Sequence, residues 1–456
     1  MNIRVSVSIL ACKLSRRMIR LLGRGGTDLP GRIALKLCPN LLGVLAKNVT
    51  TVIVTGTNGK TTTSRMIEQS WIESGISYFA NKSGANLLCG VTAEFAVHSS
   101  LSGKCRYTHA LIEADEAAFK AIGKFVDPKA IVVTNVFRDQ LDRYGEVTHT
   151  LENIRIGIEN SPHAKLALNA DDSLCTSLAG AVPNPVLFYG VNTPIYASRV
   201  EELSDAPYCI RCKHAYVYDY VTYGHLGKYR CPACGYSRPE PEIAVSEVAV
   251  TDAEHSEVVF DDGKKRIPAT VCLPGGYNIY NACAAMAAGK LLGLKEETVA
   301  ASLASFSCGF GRMEKFRIHD VDVRMILIKN PAGCNQVLNY LTQLREPFTF
   351  VACLNDRAQD GVDVSWIWDV DFERLTAMGN QIASIDVSGR RAEDMAMRFK
   401  YAGFPTERLR VNKDYRSLIE NAVALGKPVY VMPTYTAMLA LRGTISKAYG
   451  YKEFWE

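Results

Sequence analysis

The stretch Thr51-Val-Ile-Val-Thr-Gly-Thr-Asn-Gly-Lys-Thr-Thr-Thr63 constrains this chain more than any other. Its apolar β-branched run, Val52-Ile53-Val54, reads as a strand; the strand enters a loop containing Gly56 and Gly59, and a helix is expected to begin near Thr61. A polyphosphate requires this order. Glycines let the backbone approach the anion, the first amides of the helix point at it, and the helix dipole favours negative charge. Lys60 adds a point charge for the outer phosphates, and the Thr61 hydroxyl stands where it can ligate Mg²⁺. The pattern is shorter than the full Walker form, because Val54 occupies the position five before Gly59.

A chain of 456 residues can bury more than one core, so two or three domains are expected. Its 48% apolar and 22% charged residues are those of a soluble globular protein. The net charge of +5 is local: residues 1–50 hold nine Lys or Arg against Asp28 alone, which leaves 51–456 at −3. Within that segment Lys13, Arg16, Arg17, Arg20 and Arg24 recur at helical spacing opposite Leu10, Leu14, Met18, Leu21 and Leu22. The result is a basic amphipathic helix, which either meets an anionic membrane surface or phosphorylated substrate, or packs its apolar side on the next domain and solvates its charges. The apolar runs are too short and too broken by charge for a signal sequence or a membrane span, so a cytoplasmic location is expected.

Ten of the fourteen cysteines are scattered singly, mostly among apolar neighbours, and are expected to be buried reduced thiols. The other four form Cys209-Ile-Arg-Cys212 and Cys231-Pro-Ala-Cys234, with eighteen residues between the pairs. Two such knuckles close a tetrahedron on Zn²⁺, and Tyr216–Gly224 between them supplies a hairpin, making a zinc ribbon. Four thiolates leave no open catalytic position. A ribbon can also bind nucleic acid, but the interval from Cys209 to Cys234 carries only Arg211, Lys213, Lys228 and Arg230 as Lys or Arg, which is no dense patch and argues for no nucleic acid.

Strand and helix alternate elsewhere. Ala110-Leu-Ile-Glu-Ala-Asp-Glu116 is a strand ending in three carboxylates, of which Glu113 is the candidate Mg²⁺ contact, with Asp115 and Glu116 behind it; an acidic helix start is the alternative. Ala130–Asn135 and Leu166–Asp172 continue the pattern, so a doubly wound, mostly parallel α/β sheet is expected. An Ala-rich helix follows at Ala282–Leu292. Strands at Val323–Ile328, Thr349–Leu354, Gln381–Asp386 and Val429–Met432 predict a second α/β domain.

Thr55-Gly-Thr-Asn-Gly-Lys-Thr-Thr62 resembles the ATP loop of Mur ligases and folylpolyglutamate synthases, which form an amide by first phosphorylating a carboxylate. Thr134-Asn-Val-Phe-Arg-Asp-Gln-Leu-Asp142 resembles a Mur block in which Gln140 replaces the usual histidine, a feature of the MurT-like branch. Gly275-Gly-Tyr-Asn-Ile-Tyr-Asn-Ala282 resembles the block whose asparagines, here Asn278 and Asn281, face adenine; read on its own it is the N-cap of the helix that follows. Gly311-Arg-Met-Glu314 is similar to a motif that sets Arg312 near the ATP phosphates, with a hinge close to residue 313. Leu327-Ile-Lys-Asn-Pro-Ala-Gly333 stands where ordinary Mur ligases carry Asp-Tyr-Ala-His-x-Pro. Leu354-Asn-Asp-Arg-Ala-Gln-Asp-Gly-Val-Asp-Val-Ser-Trp-Ile-Trp-Asp369 closely resembles the signature of the MurT family, the ligase subunits of lipid II isoglutaminyl synthases.

The resemblance implies a basic segment over 1–48, a Mur ligase-like central ATP-binding domain over 49–312 with the ribbon inserted at 206–240, and a Rossmann-like C-terminal domain over 313–456 that contacts a glutaminase. It further implies binding of ATP and Mg²⁺ by Gly56, Thr57, Asn58, Gly59, Lys60, Thr61, Thr62, Asn278, Asn281 and Arg312, with Lys60 and Glu113 in catalysis. Asp363 matches the aspartate that completes the catalytic triad of the partner, a GatD-like glutaminase forming a heterodimer; Asp356 and Asp360 are alternatives. No cysteine here sits in Gly-x-Cys-x-Gly, so ammonia is expected from solution or from that second polypeptide. The implied reaction amidates the D-glutamate α-carboxylate of lipid II at the inner membrane face. A ligase adding an amino acid to a carboxylate, and a zinc-ribbon ATPase binding nucleic acid, are the rival readings.

Overall fold

The computed structural model describes residues 3–21, 28–81, 85–139, 147–196, 204–252, 254–306 and 311–451. Leu22, Arg24, Gln140 and the Leu141–Glu146 continuation, and Gly309-Phe310 lie outside them.

The first sheet collects β1 (Thr50–Thr55), β2 (Tyr78–Ala80), β3 (His109–Glu113), β4 (Ala130–Val133), β5 (Lys165–Asn169) and β6 (Val186–Val191). An inserted hairpin, β7 (Val217–Tyr223) and β8 (Leu226–Arg230), comes next in the chain; β9 (Ile243–Thr251), β10 (Ser256–Asp261) and β11 (Arg266–Val271) then complete the sheet. Its order is β11-β10-β9-β6-β5-β4-β1-β3-β2. Pairing is parallel from β2 through β9 and antiparallel across β9, β10 and β11. β1 is central, flanked by β3 and β4, and the chain leaves it in one direction to form β2 and β3 and in the other to form β4. Its end is therefore a topological switch point, where open α/β sheets bind ligands.

Both faces of β1 are covered, which is why Thr51–Thr55 reads as a continuous apolar and β-branched run rather than an alternating one. Val52 and Val54 join Met66, Ile67 and Trp71 of the helix Lys60–Glu73 and the small side chains of the helix Gly276–Leu292. Ile53 joins the opposite core with Val91 and Phe95, Phe119 and Ile122, and Ile154 and Ile158 from three other helices. The Gly276–Leu292 helix starts well before the expected Ala282. Gly275, at φ 91°, is its N-cap without any side-chain bond, so Asn278 and Asn281 lie inside the helix, not at its cap.

The second sheet holds β12 (Arg312–Ile318), β13 (Val321–Ile326), β14 (Phe348–Cys353), β15 (Ile382–Ser388), β16 (Leu409–Val411) and β17 (Val429–Pro433) in the order β12-β13-β17-β14-β15-β16. β12 and β13 form an antiparallel hairpin; the other neighbours are parallel. β12 and the three-residue edge strand β16 were not anticipated. In β12, Phe316 and Ile318 are buried while Lys315 and Arg317 are exposed, an alternation present in the sequence but hidden under a phosphate motif.

Two expectations need correcting. The N-terminal helix Ile3–Leu21 buries Val5, Ile9 and Cys12, whereas Leu10, Leu14, Met18 and Leu21 are exposed, so of the two readings offered for that stripe, packing on the next domain is the one corrected. Arg16 and Lys13, which that packed reading left in solvent, are engaged within the chain: Arg16 pairs with Glu94 at 2.8 Å, and Lys13 donates to the Ser99 carbonyl. Among the single cysteines, Cys38, Cys89, Cys105 and Cys272 are only partly buried.

Candidate active site

The loop after β1 is held from the side by the exit of β4. Thr57 donates its amide to the Asn135 carbonyl at 2.9 Å and exchanges bonds with the Phe137 backbone through its hydroxyl at 3.0 and 3.1 Å. The Asn58 amide donates to Asn135 Oδ1 at 2.9 Å, and Thr134 Oγ1 donates to the Asn58 carbonyl at 2.7 Å. Glycine is required at two positions. Gly56 at φ 117° and Gly59 at φ 84° lie where a Cβ would come within 2.4 Å of Thr134 Oγ1 and 2.1 Å of Asn281 Oδ1. The helix then starts at Lys60, one residue before the expected Thr61.

Lys60 is buried, with its ammonium donating to the Gly56 and Thr57 carbonyls and to Glu116 Oε1 at 3.1 Å. Burial works against its charge, yet Glu116, Asp115, Glu113 and Asp139 lift its pKa above the ordinary lysine value. Lys60 is therefore a cation throughout the physiological range. Glu116, a secondary metal candidate, is spent on this ion pair, while Asp115 caps the helix Glu116–Ile122 by accepting from the Ala117 amide.

The predicted nucleotide residues converge. Asn58, Gly59, Thr62, Asn278, Asn281 and Arg312 line one cleft between the two sheets, partly open to solvent. Asn278 is buried and donates to the Pro274 carbonyl at 2.7 Å; its Oδ1 accepts from Asn281 Nδ2 at 3.0 Å, and Asn281 Oδ1 accepts from Thr63. These carboxamides thus brace the cleft wall against the phosphate-loop helix. Arg312 is aimed by a β-bulge: the β12–β13 register slips between Arg312 and Glu314, Met313 adopts φ 62°, and Glu314 accepts from the Gly311 amide at 2.9 Å and from Arg442 at 2.9 Å. Thr61 and Glu113 fall elsewhere, together in a second pocket of about 290 Å³ on the other side of the helix start. Asn81 clamps the Glu113 backbone there at 2.8 Å.

Sequence reasoning missed the tie between the domains. Lys329 reaches across to Asp139 at 2.6 Å, and Asn330 Nδ2 donates to Asn58 Oδ1 at 3.0 Å and to Asp139 Oδ1 at 3.2 Å. Asn330 also caps the helix Pro331–Leu341, accepting from the Gly333 amide at 2.8 Å. Burial opposes ionisation of Asp139, but Lys329, Lys60 and Asn330 hold its carboxyl below the usual carboxylate range. The Asn-Pro pair was a legible helix-start signal; its second partner lies 191 residues away in sequence and was not legible.

The cradle fits a nucleotide. Asn58 Nδ2 is buried without a partner, beside two glycines whose Cβ positions are closed. The ribbon likewise fits a metal. The sulfurs of Cys209, Cys212, Cys231 and Cys234 all lie within 4.8 Å of one another, matching the edges of about 3.8 Å expected for a tetrahedral Zn–S₄ centre. The ribbon rests on the central domain through His225 against Asp172 at 3.3 Å, Tyr236 on Thr176 at 2.7 Å, and Arg238 against Asp171 at 2.6 Å. Its hairpin sends Tyr223 into the nucleotide cleft, stacked on Phe137. Of the four cations between Cys209 and Cys234, two are engaged locally, Arg211 over the Tyr236 ring and Lys228 with Asp219.

The run after β14 separates its five aspartates. Asp356 pairs with Arg390 at 2.9 Å and Arg391 at 3.3 Å, and Asp369 reaches Arg138 of the central domain at 2.8 Å. Asp371 pairs with Arg374, and buried Asp360 accepts from the Thr436 amide and hydroxyl at the start of the helix Tyr435–Tyr449. Asp363 differs. It is exposed, faces no cation among the described residues, and accepts only from Ser365, whose hydroxyl and amide hold its carboxyl below the usual value.

Two family descriptions match the chain: Mur ligase middle domain over residues 54–213 and MurT ligase C-terminal over 327–438. The "Lipid II isoglutaminyl synthase (glutamine-hydrolyzing) subunit MurT" of Streptococcus pneumoniae (strain ATCC BAA-255 / R6) is 34% identical over 97% of both chains. The subunit of the same name from Staphylococcus aureus (strain COL) is 34% identical over 97% of this chain and 98% of its own. Among solved structures, Mycobacterium tuberculosis folylpolyglutamate synthase, complexed with ADP and AMPPCP, superposes with a TM-score of 0.61 at 14% identity, covering 98% of this chain and 96% of that one.

Proposed function

Because this chain belongs to the MurT family of Mur ligase-related subunits, we propose that it is the ATP-consuming half of an amidating ligase acting on lipid II. The reaction passes the terminal phosphoryl group of ATP to the α-carboxylate of D-glutamate in the stem peptide; ammonia then displaces phosphate from the acyl phosphate and leaves D-isoglutamine. Lys60 and Arg312 neutralise charge that grows on the transferring group, and the amides of Gly59, Lys60 and Thr61 at the helix start hold the phosphates in register. Asn278 and Asn281 shape the base end of the cleft. Thr61 and Glu113 would hold Mg²⁺, which supplies further charge neutralisation when bound. Cys209, Cys212, Cys231 and Cys234 would hold Zn²⁺ as a structural ion, with all four positions filled by protein.

A glutaminase subunit supplies the ammonia in this reading. Asp363 orients and stabilises the imidazolium of that partner, as a triad carboxylate does, and its exposure leaves it accessible to another chain. The location that follows is cytoplasmic, at the inner membrane face; no helix among the described residues is long and apolar enough to cross a membrane.

The observation that carries the reading is the single cleft in which Asn58, Asn278, Asn281 and Arg312 meet beside buried Lys60. The test is co-purification with the glutaminase and assay with lipid II, ATP and glutamine. Amidated lipid II is the expected product. Its absence with the partner present, or ATP consumption with an amino acid and no glutaminase, would overturn the assignment.

A further inference from the structure

The N-terminal helix has two apolar sides, and only one of them is used by the fold. Val5, Ile9 and Cys12 face inward, with Cys12 Sγ against the Ala93 carbonyl and Arg16 tied to Glu94. The opposite side presents Ile3, Val7, Leu10, Leu14, Met18 and Leu21, each between 45% and 80% exposed. At 3.6 residues per turn these six fall within about 80° of the helix circumference. Leu29, Leu37 and Val44 on the next two helices are exposed as well. An uncovered stripe of this length costs solubility unless something receives it.

The charges decide what receives it. The helix contains no acidic residue, and Arg17 and Arg20 along one edge of the stripe are exposed and make no ion pair among the described residues. Arg32 and Lys36 on the next helix and Lys47 at the C-terminal end of the one after it are exposed too. A second copy of the same helix would set cations against cations, without the opposite-sign flanks that paired helices use. An anionic phospholipid surface answers both features, because the acyl boundary takes the apolar stripe and the headgroups take the cations. The helix cannot span, since five Lys or Arg interrupt it.

We propose that the Ile3–Leu21 helix lies flat in the interface of an anionic bilayer, with Leu10, Leu14 and Met18 in the acyl boundary and Arg17 and Arg20 among the headgroups. This surface is separate from the nucleotide cleft, so plain phospholipid vesicles probe it without lipid II, ATP or the partner.

The experiment is sedimentation of the full chain with vesicles of phosphatidylglycerol and phosphatidylcholine, and with phosphatidylcholine alone. The protein is expected to pellet with the anionic vesicles, to be released as salt is raised, and to stay in solution with the neutral ones. The pair Arg17→Glu and Arg20→Glu should weaken partitioning by about 20-fold or more, at about five-fold per surface cation. The pair Leu14→Asp and Met18→Asp should abolish it, with the unfolding midpoint unchanged because neither residue is buried. Failure of the wild type to pellet with phosphatidylglycerol, or pelleting unaffected by salt and by the charge-reversed pair, would overturn the proposal. A lipid-free dimer that Leu14→Asp and Met18→Asp converts to monomer would also overturn it, by giving the stripe to a second copy.

Discussion

Two sets of loops leave the C-terminal ends of two parallel sheets, and they use their carboxylates in opposite ways. At the ends of β3 and β4, Glu116 is buried and Asp139 largely so, and each is paired with a lysine inside the chain, Lys60 and Lys329. After β14, three carboxylates of comparable sequence prominence diverge: Asp356 is bound by two arginines, Asp360 is buried against Thr436, and Asp363 stays exposed. A site whose charges are balanced within one polypeptide can be enclosed, since each buried ion meets its counter-ion. A carboxylate that completes another polypeptide's machinery must remain open, with acceptor capacity left. The contrast is sharpest between Asp360 and Asp363, three residues apart.

The largest test of the enclosed site is Lys60→Ala, which should remove both glutamine-driven and ammonia-driven amidation, by about 10³-fold or more in kcat. Retention of either above that level would detach Lys60 from the chemistry. Next is Asp363→Asn, assayed with the glutaminase present. Glutamine-driven amidation should fall by about 10³-fold, and ammonia-driven amidation should stay within about two-fold of the parent; equal loss of the two would place Asp363 on the wrong side of the comparison. Lys329→Ala should act on the interdomain tie, raising KM for ATP by about ten-fold with a smaller change in kcat, as read from steady-state kinetics at saturating ammonia. The smallest effect is expected from Asp360→Asn. It leaves a buried hydrogen-bond site half-filled and should cost about 1–3 kcal/mol in denaturant unfolding while treating glutamine and ammonia alike.

Much of the first sheet was legible because its signals are local. A strand, two glycines and a lysine lie within ten residues, and the two cysteine pairs announce themselves by spacing. The motif singled out Arg312, which lines the cleft, yet the bulge that aims it was invisible, because a register slip depends on the partner strand β13. Lys329 was passed over for a related reason: its meaning comes from Asp139, in the segment that follows β4 of the other sheet. The N-terminal helix was legible as a helix but not in orientation. Its sequence carries two apolar stripes, and periodicity cannot say which one the fold will bury. Likewise Asp356, Asp360 and Asp369 after β14 are told apart only by arginine and threonine partners from distant segments.

Asn330 spends its single carboxamide on two tasks at once, its oxygen on the Gly333 amide and its nitrogen on Asn58 and Asp139. The first turn of the Pro331–Leu341 helix and the shutting of the gap between the sheets are therefore one geometric event. Swinging the halves apart would cost the nitrogen its acceptors while the oxygen stayed anchored. The ring of Pro331 keeps that anchor stiff, so the second half reports its position to the phosphate loop through one side chain, without play.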